Sequence, residues 1–108
     1  MKHYVYIWEF DVLPHYLAEF LRCYGPDGDW ARLFRRSEGY LGTLLLKDEL
    51  QPMRYVTVDR WISRDSHDAF RARFGEAYDA LDRQCEAYTS GEASLGSFAQ
   101  IDGHEERA

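Results

Sequence analysis

The sequence has few of the features that are typical of secreted, membrane-spanning or nucleic-acid-binding proteins. It contains only two cysteines in 108 residues, and no apolar run approaches the ~20 residues that a membrane-spanning helix needs. Positive charge is also scarce, because 13 Lys and Arg stand against 19 Asp and Glu, which gives a net charge of −6. Nucleic acids and anionic membrane surfaces require clustered Lys and Arg. We therefore expect a cytoplasmic protein with no nucleic-acid or membrane partner.

The motifs of common catalytic and metal sites are also missing. The chain has no Cys-x-x-Cys, no phosphate-binding glycine loop and no nucleophile elbow. His3, His15 and His104 are isolated and lack the spacing of metal ligands, so no metal site is predicted. Cys23 and Cys85 fall on the apolar faces of predicted helices, and we expect both to be buried free thiols.

Aromatic side chains, by contrast, are abundant. The sequence has three Trp, eight Tyr and six Phe, or 16% of its residues. A chain of 108 residues forms one domain with a modest core, so part of this aromatic surface is expected to pack against a partner or a ligand. We predict a single domain over residues 1–101, followed by a polar, disordered tail over residues 102–108.

Four segments have the two-residue alternation of β-strands. Residues 4–12 place four aromatic side chains on one face, and these are Tyr4, Tyr6, Trp8 and Phe10. Further strands are predicted at residues 40–47, 54–61 and 92–101. The third strand ends at Trp61.

Helical spacing fills the two long intervals between the first and second strands and between the third and fourth. Pro14 suits the first turn of a helix, and Asp29 is a plausible cap for a second short helix that Gly39 stops. Ser63 opens the next helical segment as a capping residue. Gly75 predicts a kink or break in that segment, because glycine weakens a helix interior.

The predicted order of strand, helix pair, strand, strand, helix pair, strand is that of the α+β, ferredoxin-like split βαβ fold. Such a fold has a four-stranded antiparallel sheet with helices on one face. In the second strand, however, Leu41 and Leu45 alternate with Leu44 and Leu46, so both faces are apolar. The uncovered face needs a partner, and a second copy of the chain is the economical one. We therefore predict a homodimer.

Three segments resemble the antibiotic biosynthesis monooxygenase family of dimeric α+β barrels. They are Gly39-Tyr40-Leu41-Gly42-Thr43, Arg54-Tyr55-Val56-Thr57-Val58-Asp59-Arg60-Trp61-Ile62-Ser63 and Ala69-Phe70. The resemblance implies a small cavity between sheet and helices, and some members oxygenate aromatic polyketides with no metal or flavin. It thus implies a cofactor-independent monooxygenase that acts on a small aromatic or polyketide-like compound.

The haem-degrading branch of the superfamily is a poorer match. Its Trp after the third strand is matched by Trp61, but the Asn of its first strand has no counterpart. Phe70 and Arg71 stand where its helical His would be expected. Haem degradation is therefore disfavoured.

A cofactor-independent oxygenase must deprotonate an electron-rich substrate and hold it in a dry cavity. The polar groups that we predict for catalysis are His67, Tyr6 and Asp59. The predicted substrate-binding walls are Trp8, Tyr55, Trp61 and Phe70. Strand alternation places Tyr55, Asp59 and Trp61 on one side of the sheet, but it leaves open which side faces the helices.

Each of these residues also has a structural interpretation. Trp61 is more commonly a core residue, Tyr6 and Trp8 could pack the sheet or a dimer, and His67 could be a semi-buried helix residue. The rival function is a non-catalytic or stress-associated barrel that binds a small hydrophobic ligand. A haem-binding relative is a third possibility, with His67 as the only candidate axial ligand.

Overall fold

A computed structural model describes residues 3–101, which form one antiparallel sheet with helices packed on one face. The strands are β1 (Tyr4–Val12), β2 (Tyr40–Lys47), β3 (Arg54–Trp61) and β4 (Thr89–Ala99). The helices are α1 (Leu17–Tyr24), α2 (Asp29–Phe34), α3 (Arg64–Arg73) and α4 (Gly75–Cys85). The tail predicted for residues 102–108 lies outside the described residues.

The strand order is β2-β3-β1-β4, and every neighbouring pair is antiparallel. The two strands at the centre, β1 and β3, are each followed by a helical segment. This is the predicted ferredoxin-like arrangement, and the prediction is confirmed.

Strand alternation separates the sheet into an inner face, which the helices cover, and an outer face. Phe10 and Val12 of β1 are buried, as are Tyr55 and Trp61 of β3, so these residues mark the inner face. The register pairs Trp61 with Tyr4 across the β1–β3 ladder. The side of β3 that carries Asp59 therefore faces the helices, which the sequence left open.

The outer face has many apolar residues, together with Glu9, Arg54 and Arg60, and has no helix over it within residues 3–101. Its apolar members are Val5, Ile7, Leu44, Leu46, Val56, Val58 and Phe98. Leu44, Leu46 and Phe98 are 54%, 48% and 47% exposed. This is the uncovered apolar face that we predicted from the leucines on both faces of the second strand.

Two predictions about helix ends are confirmed. Ser63 caps α3, because its Oγ accepts a hydrogen bond from the Ser66 backbone N–H at 3.1 Å. The helical segment after Ser63 is broken, since α3 ends at Arg73 and α4 begins at Gly75. Pro14 lies in a short 3₁₀ turn, Pro14–Tyr16, which leads into α1.

The capping prediction at Asp29 is wrong. Gly28 is the N-cap of α2 and Asp29 is its first residue. The carboxylate instead accepts hydrogen bonds from the Cys23 thiol, at 3.2 Å, and from Arg32. Asp29 thus ties α2 to α1 rather than capping it.

The role predicted for Gly39 is also wrong, because α2 already ends at Phe34. A Cβ atom at Gly39 would lie 2.3 Å from the Cβ of Ser66. Glycine is needed here because β2 begins directly against the first turn of α3. The last strand starts earlier than predicted, at Thr89, because Thr89 and Gly91 already pair with the end of β1.

Aromatic side chains dominate the core between sheet and helices. Phe20, Trp61 and Phe70 are at most 1% exposed. Cys23 and Cys85 are buried and free, as predicted. None of the helices within residues 3–101 has the length and apolar character that crossing a bilayer requires.

Candidate functional site

A cavity of about 70 Å³ that opens to solvent lies between the inner face of the sheet and the helices. Its walls combine aromatic rings with hydroxyl and carboxyl groups. The lining residues are Trp8, Phe10, Tyr24, Trp30, Phe34, Thr43, Thr57, Asp59, Tyr78, Asp82 and Glu92.

The floor of the cavity is a short row of side chains across three strands. The register places Thr57 beside Trp8 and places Asp59 beside Thr43. Because these positions alternate with residues of the outer face, their side chains all point toward the helices. Thr57 is only 4% exposed, and it is a buried polar residue in a row that is otherwise largely aromatic.

Helices α1, α2 and α4 supply the opposite walls. Trp30 meets Tyr78 edge to face at 4.9 Å between ring centroids, and Tyr24 lies 6.1 Å from Trp30. Edge-to-face and tilted contacts of this kind are favourable for aromatic rings. The walls are therefore rigid enough to present flat aromatic surfaces to a ligand.

Asp59 is the carboxyl group on the cavity floor. The residue is partly buried, and its side chain accepts one hydrogen bond, from the Thr43 hydroxyl at 2.6 Å. Burial raises the pKa of Asp59 from 3.8 to about 6, and the hydrogen bond from Thr43 opposes part of that rise. Asp59 is therefore ionised at neutral pH but is a stronger base than an ordinary aspartate.

A chain of hydrogen bonds leads from Asp59 away from the cavity. The Thr43 hydroxyl that donates to Asp59 is itself 2.5 Å from the phenol oxygen of Tyr40. Tyr40 is half-buried, and burial is the main cause that raises the pKa of its phenol. With Asp59 ionised, Tyr40 donates to Thr43 and Thr43 donates to Asp59.

Trp30 contributes a second unusual polar group. Its indole nitrogen is fully buried and has no hydrogen-bond partner among the described residues. The Tyr24 hydroxyl and the Cys85 thiol lie nearby, but neither accepts from it in hydrogen-bonding geometry. A buried unpaired donor is costly, and a ligand that offers an acceptor would reduce that cost.

Carboxylates also line the mouth of the cavity. Burial raises the pKa of Glu92, and repulsion from Asp82 and Glu86 adds to the rise. On the α4 side, burial raises the pKa of Tyr78 to about 12. The guanidinium of Arg71 lies 3.6 Å from the centroid of the Tyr78 ring.

Two of the residues predicted for the site, Trp8 and Asp59, line the cavity. Tyr6 lies beside Asp59 in the β1–β3 register and stacks on Trp8 at 5.9 Å. Its ring also lies 5.5 Å from that of His67. Tyr6 is thus adjacent to the cavity floor without being among the lining residues.

Three of the other predicted residues, His67, Trp61 and Phe70, lie at the packed end of the inner face, where β3 ends, whereas Tyr55 lies at the start of β3. His67 packs on Tyr4 and Trp61, at 5.2 and 5.4 Å between ring centroids, and its Nδ1 lies 3.2 Å from Asp68 Oδ1. Tyr55, Trp61 and Phe70 are buried core residues, and the cavity lining does not include them. Their part in substrate binding, like that of His67 in catalysis, stays a prediction.

Sequence reasoning missed most of the helical wall and both threonines of the floor. Tyr24, Trp30 and Tyr78 belong to helices whose apolar stripes gave no sign of a cavity beneath them. Thr57 could have been found, because it lies two residues before Asp59 on the same face of β3. Thr43 could not, since its position beside Asp59 depends on the β2–β3 register.

Several solved structures share this architecture. The cofactor-independent oxygenase SnoaB from Streptomyces nogalater has a TM-score of 0.63 and 20% identity, over 94% of this chain and 96% of that one. A protein from Bordetella bronchiseptica, provisionally named an antibiotic biosynthesis monooxygenase, has a TM-score of 0.68 and 24% identity, with 94% and 100% covered. Rv0793 from Mycobacterium tuberculosis has a TM-score of 0.70 and 17% identity, with 93% and 96% covered. The fold is that of the antibiotic biosynthesis monooxygenases.

No protein-family model and no curated protein matches the sequence. At these identities the likeness to the solved structures concerns the fold, and one fold can support many activities. Within the antibiotic biosynthesis monooxygenase fold, the function of this chain has to be argued from the cavity residues themselves.

Proposed function

We propose that this protein is a cofactor-independent monooxygenase that acts on a small aromatic or polyketide-like compound. The observation that carries the proposal is the position of Asp59, a partly buried carboxylate on the floor of a cavity with aromatic walls. The fold shared with SnoaB, a cofactor-independent oxygenase, is consistent with this activity.

Asp59 is suited to act as a general base. A base works best when its pKa lies near the working pH, and the pKa of Asp59 is about 6 because the carboxylate is buried. An aromatic substrate with an acidic C–H bond would sit between the rings and give that proton to Asp59. The product of this step is a carbanion whose charge spreads over the substrate's ring system.

The remaining steps need only molecular oxygen as the oxidant. The carbanion transfers electrons to O₂ and forms a C–O bond, which gives a hydroperoxide anion. This anion takes up a proton, and loss of water from the hydroperoxide leaves a carbonyl. The balance is a CH₂ group and O₂ converted to a C=O group and H₂O.

Other cavity residues would orient the substrate and keep the reaction dry. Trp8 and Trp30 offer ring surfaces on opposite sides of the cavity, and the Trp30 N–H could donate to a substrate oxygen on which negative charge develops. We also propose Tyr6 as a polar neighbour of Asp59 and His67 as its packing partner. The substrate-binding role of the core residues Tyr55, Trp61 and Phe70 would be indirect, because they would support the cavity residues from behind.

Oxygen consumption with anthrone- and naphthol-type substrates, in air and under anaerobic conditions, tests the proposal. Asp59→Asn keeps the size of the side chain but removes the base, so we expect turnover to fall by roughly 10²–10⁴-fold. Glu49→Gln, an exposed change in the β2–β3 turn, is the matched control and should retain full activity. Absence of oxygen-dependent turnover across the panel would rule out the enzymatic role, and full activity of Asp59→Asn would rule out the base.

The rival function is a barrel that binds a small hydrophobic ligand without transforming it. The observation in its favour is that six of the eleven lining residues are aromatic, which is enough for binding alone. The two functions differ in one result. Ligand binding without oxygen uptake, at any pH that ionises Asp59, would identify the binding protein.

We further propose that the outer face pairs with the same face of a second copy, so that the protein is a homodimer. Leu44, Leu46 and Phe98 are about half exposed in the single chain, and exposed apolar side chains on an uncovered sheet face are typical of an interaction site. A face that meets itself forms a closed pair. A cytoplasmic location also stays a prediction.

A further inference from the structure

The charged residues that line the cavity are all acidic. Three of the eleven lining residues are carboxylic acids, namely Asp59, Asp82 and Glu92, and none is Lys, Arg or His. Glu86 lies close enough to Glu92 to repel it. A ligand that enters the cavity therefore meets negative charge both at the mouth and on the floor.

These carboxylates have no cationic partner within residues 3–101. The ion pairs of the described residues involve other acids, and the one hydrogen bond of Asp59 comes from the uncharged hydroxyl of Thr43. Two cationic or potentially cationic side chains on α3 make aromatic contacts instead. Arg71 stacks on Tyr78, and His67 packs on Tyr4 and Trp61.

An unpaired carboxylate away from water is unfavourable, so a positive charge placed beside it gains interaction energy. Aromatic faces attract cations as well, because the ring quadrupole is negative above and below the plane. Trp8, Trp30 and Tyr78 supply such rings around Asp59. The carboxylate and the aromatic ring faces therefore both favour a bound cation and disfavour a bound anion.

We propose that the cavity selects small aromatic molecules that carry an ammonium group over neutral molecules of the same shape, and selects both over aromatic carboxylates. The ring would lie among the aromatic walls, and the ammonium would donate to Asp59. This inference uses the same cavity as the proposed function but concerns binding alone, since a carboxylate paired with an ammonium is a weaker base.

Three naphthalene probes of one skeleton test the proposal by isothermal titration calorimetry. They are 1-naphthylmethylammonium, 1-naphthalenemethanol and 1-naphthoate, used at about pH 7.5 and about 0.15 M salt, where distant charges are screened. We expect the ammonium probe to bind at least about tenfold more tightly than the carboxylate, with the neutral alcohol between them.

Two variants show whether Asp59 is responsible. In Asp59→Asn the ammonium and carboxylate affinities should come within about threefold of each other, whereas the exposed control Glu49→Gln should keep the wild-type ratio. Glu92→Gln should reduce the ratio by a smaller factor, because Glu92 lies at the mouth. The wild-type ratio should also shrink at about pH 5, since the pKa of Asp59 is about 6.

The proposal is overturned if the carboxylate binds as tightly as the ammonium probe, or if the ammonium probe does not bind at millimolar concentration. It is also overturned if Asp59→Asn keeps the full preference. Should Asp59→Asn fail to fold, Glu92→Gln and the pH series decide in its place. Oxygen-dependent turnover of a neutral substrate without ammonium preference would remove this inference and leave the proposed function intact.

Discussion

The two faces of the sheet come from the same strands but have different chemistry. The outer face is a largely apolar surface in which Leu44, Leu46 and Phe98 remain about half exposed. The inner face is aromatic and covered by helices, yet it contains a polar group, Thr43, Thr57 and Asp59, in the middle of its rows. Packing alone explains the outer face if it pairs with a second copy, but it does not explain the polar group.

Polar side chains in a buried layer cost stability unless they are hydrogen-bonded, and buried charge costs more. Asp59 is held by one hydrogen bond from Thr43. Strained or costly groups of this kind concentrate at functional sites. The comparison is therefore the basis for proposing a binding and catalytic role for the inner face and an assembly role for the outer face.

The largest expected effect is on the packed end of the inner face. Trp61→Ala removes a side chain that is only 1% exposed and contacts Phe34, Tyr40 and Phe70. We expect the free energy of unfolding to fall by about 3–5 kcal/mol, measured by denaturant titration. Ile62→Ala, at a neighbour that is 39% exposed, should cost less than about 1 kcal/mol. Equal effects at both positions would contradict the assignment of Trp61 to the core.

The next effect concerns Asp59 and the pH dependence of stability. Its pKa is raised by burial from 3.8 to about 6, so the folded protein holds this proton more tightly than the unfolded chain. The contribution of protonated Asp59 to the free energy of unfolding is fully present below about pH 3.8. It is lost as the pH rises through about 6. Asp59→Asn should therefore stabilise the protein by up to about 2–3 kcal/mol at about pH 7.5.

At about pH 3.5 the same substitution should leave the free energy of unfolding nearly unchanged, because Asp59 is then protonated in both states. Glu49→Gln is the control for a lost negative charge and should have little effect at either pH. A loss of stability for Asp59→Asn at about pH 7.5 would mean that the carboxylate has a favourable partner.

The outer face is tested by a charge placed on it at Leu44, in the edge strand β2. Leu44→Glu should weaken the dimer by at least about tenfold, because a carboxylate would be buried in an apolar interface. Leu50→Glu, at a turn residue that is 91% exposed, should leave the dimer unchanged. Sedimentation equilibrium measures the dimer dissociation constants of both variants. A wild-type protein that is monomeric at micromolar concentration would refute the dimer.

The smallest effect concerns the hydrogen bonds that lead outward from Asp59. If a bound substrate closes the cavity, the proton taken by Asp59 can leave by a relay in which Thr43 accepts it and passes its own proton to Tyr40, and the half-buried Tyr40 hydroxyl releases its proton to solvent. Tyr40→Phe ends that route while Thr43 still donates to Asp59, so we expect kcat to fall about two- to tenfold, with an altered solvent isotope effect. Tyr16→Phe, on a half-buried tyrosine elsewhere, is the control. An unchanged kcat and isotope effect for Tyr40→Phe would exclude this route.

The fold was predictable because alternation and spacing are local signals. Strands β1, β2 and β3 and the break between α3 and α4 follow from such patterns. The errors at Asp29 and Gly39 have one cause, since in both cases a residue with a common local role makes a contact with a distant element instead. Asp29 bonds Cys23, and Gly39 gives room to Ser66.

The candidate site was predictable only in part, for the same reason. Trp8 and Asp59 could be chosen because one is aromatic and the other is a carboxyl group, and both lie on strands whose side chains alternate between the two sheet faces. Trp30 and Tyr78 could not, because a wall residue and a core residue have the same apolar spacing on a helix. Whether a gap remains beneath them depends on how far the helices stand from the sheet.

By itself, the sequence determined the fold class and the abundance of aromatic surface, because both depend on which residue types recur at which spacing. Only the tertiary structure decided which face of β3 the helices cover, and with it the placement of Asp59 inside and of Val58 outside. It also decided that Trp61 is core and that Trp30 is wall. The physical reason is that burial of a side chain is a property of what packs over it, and those neighbours come from distant parts of the chain.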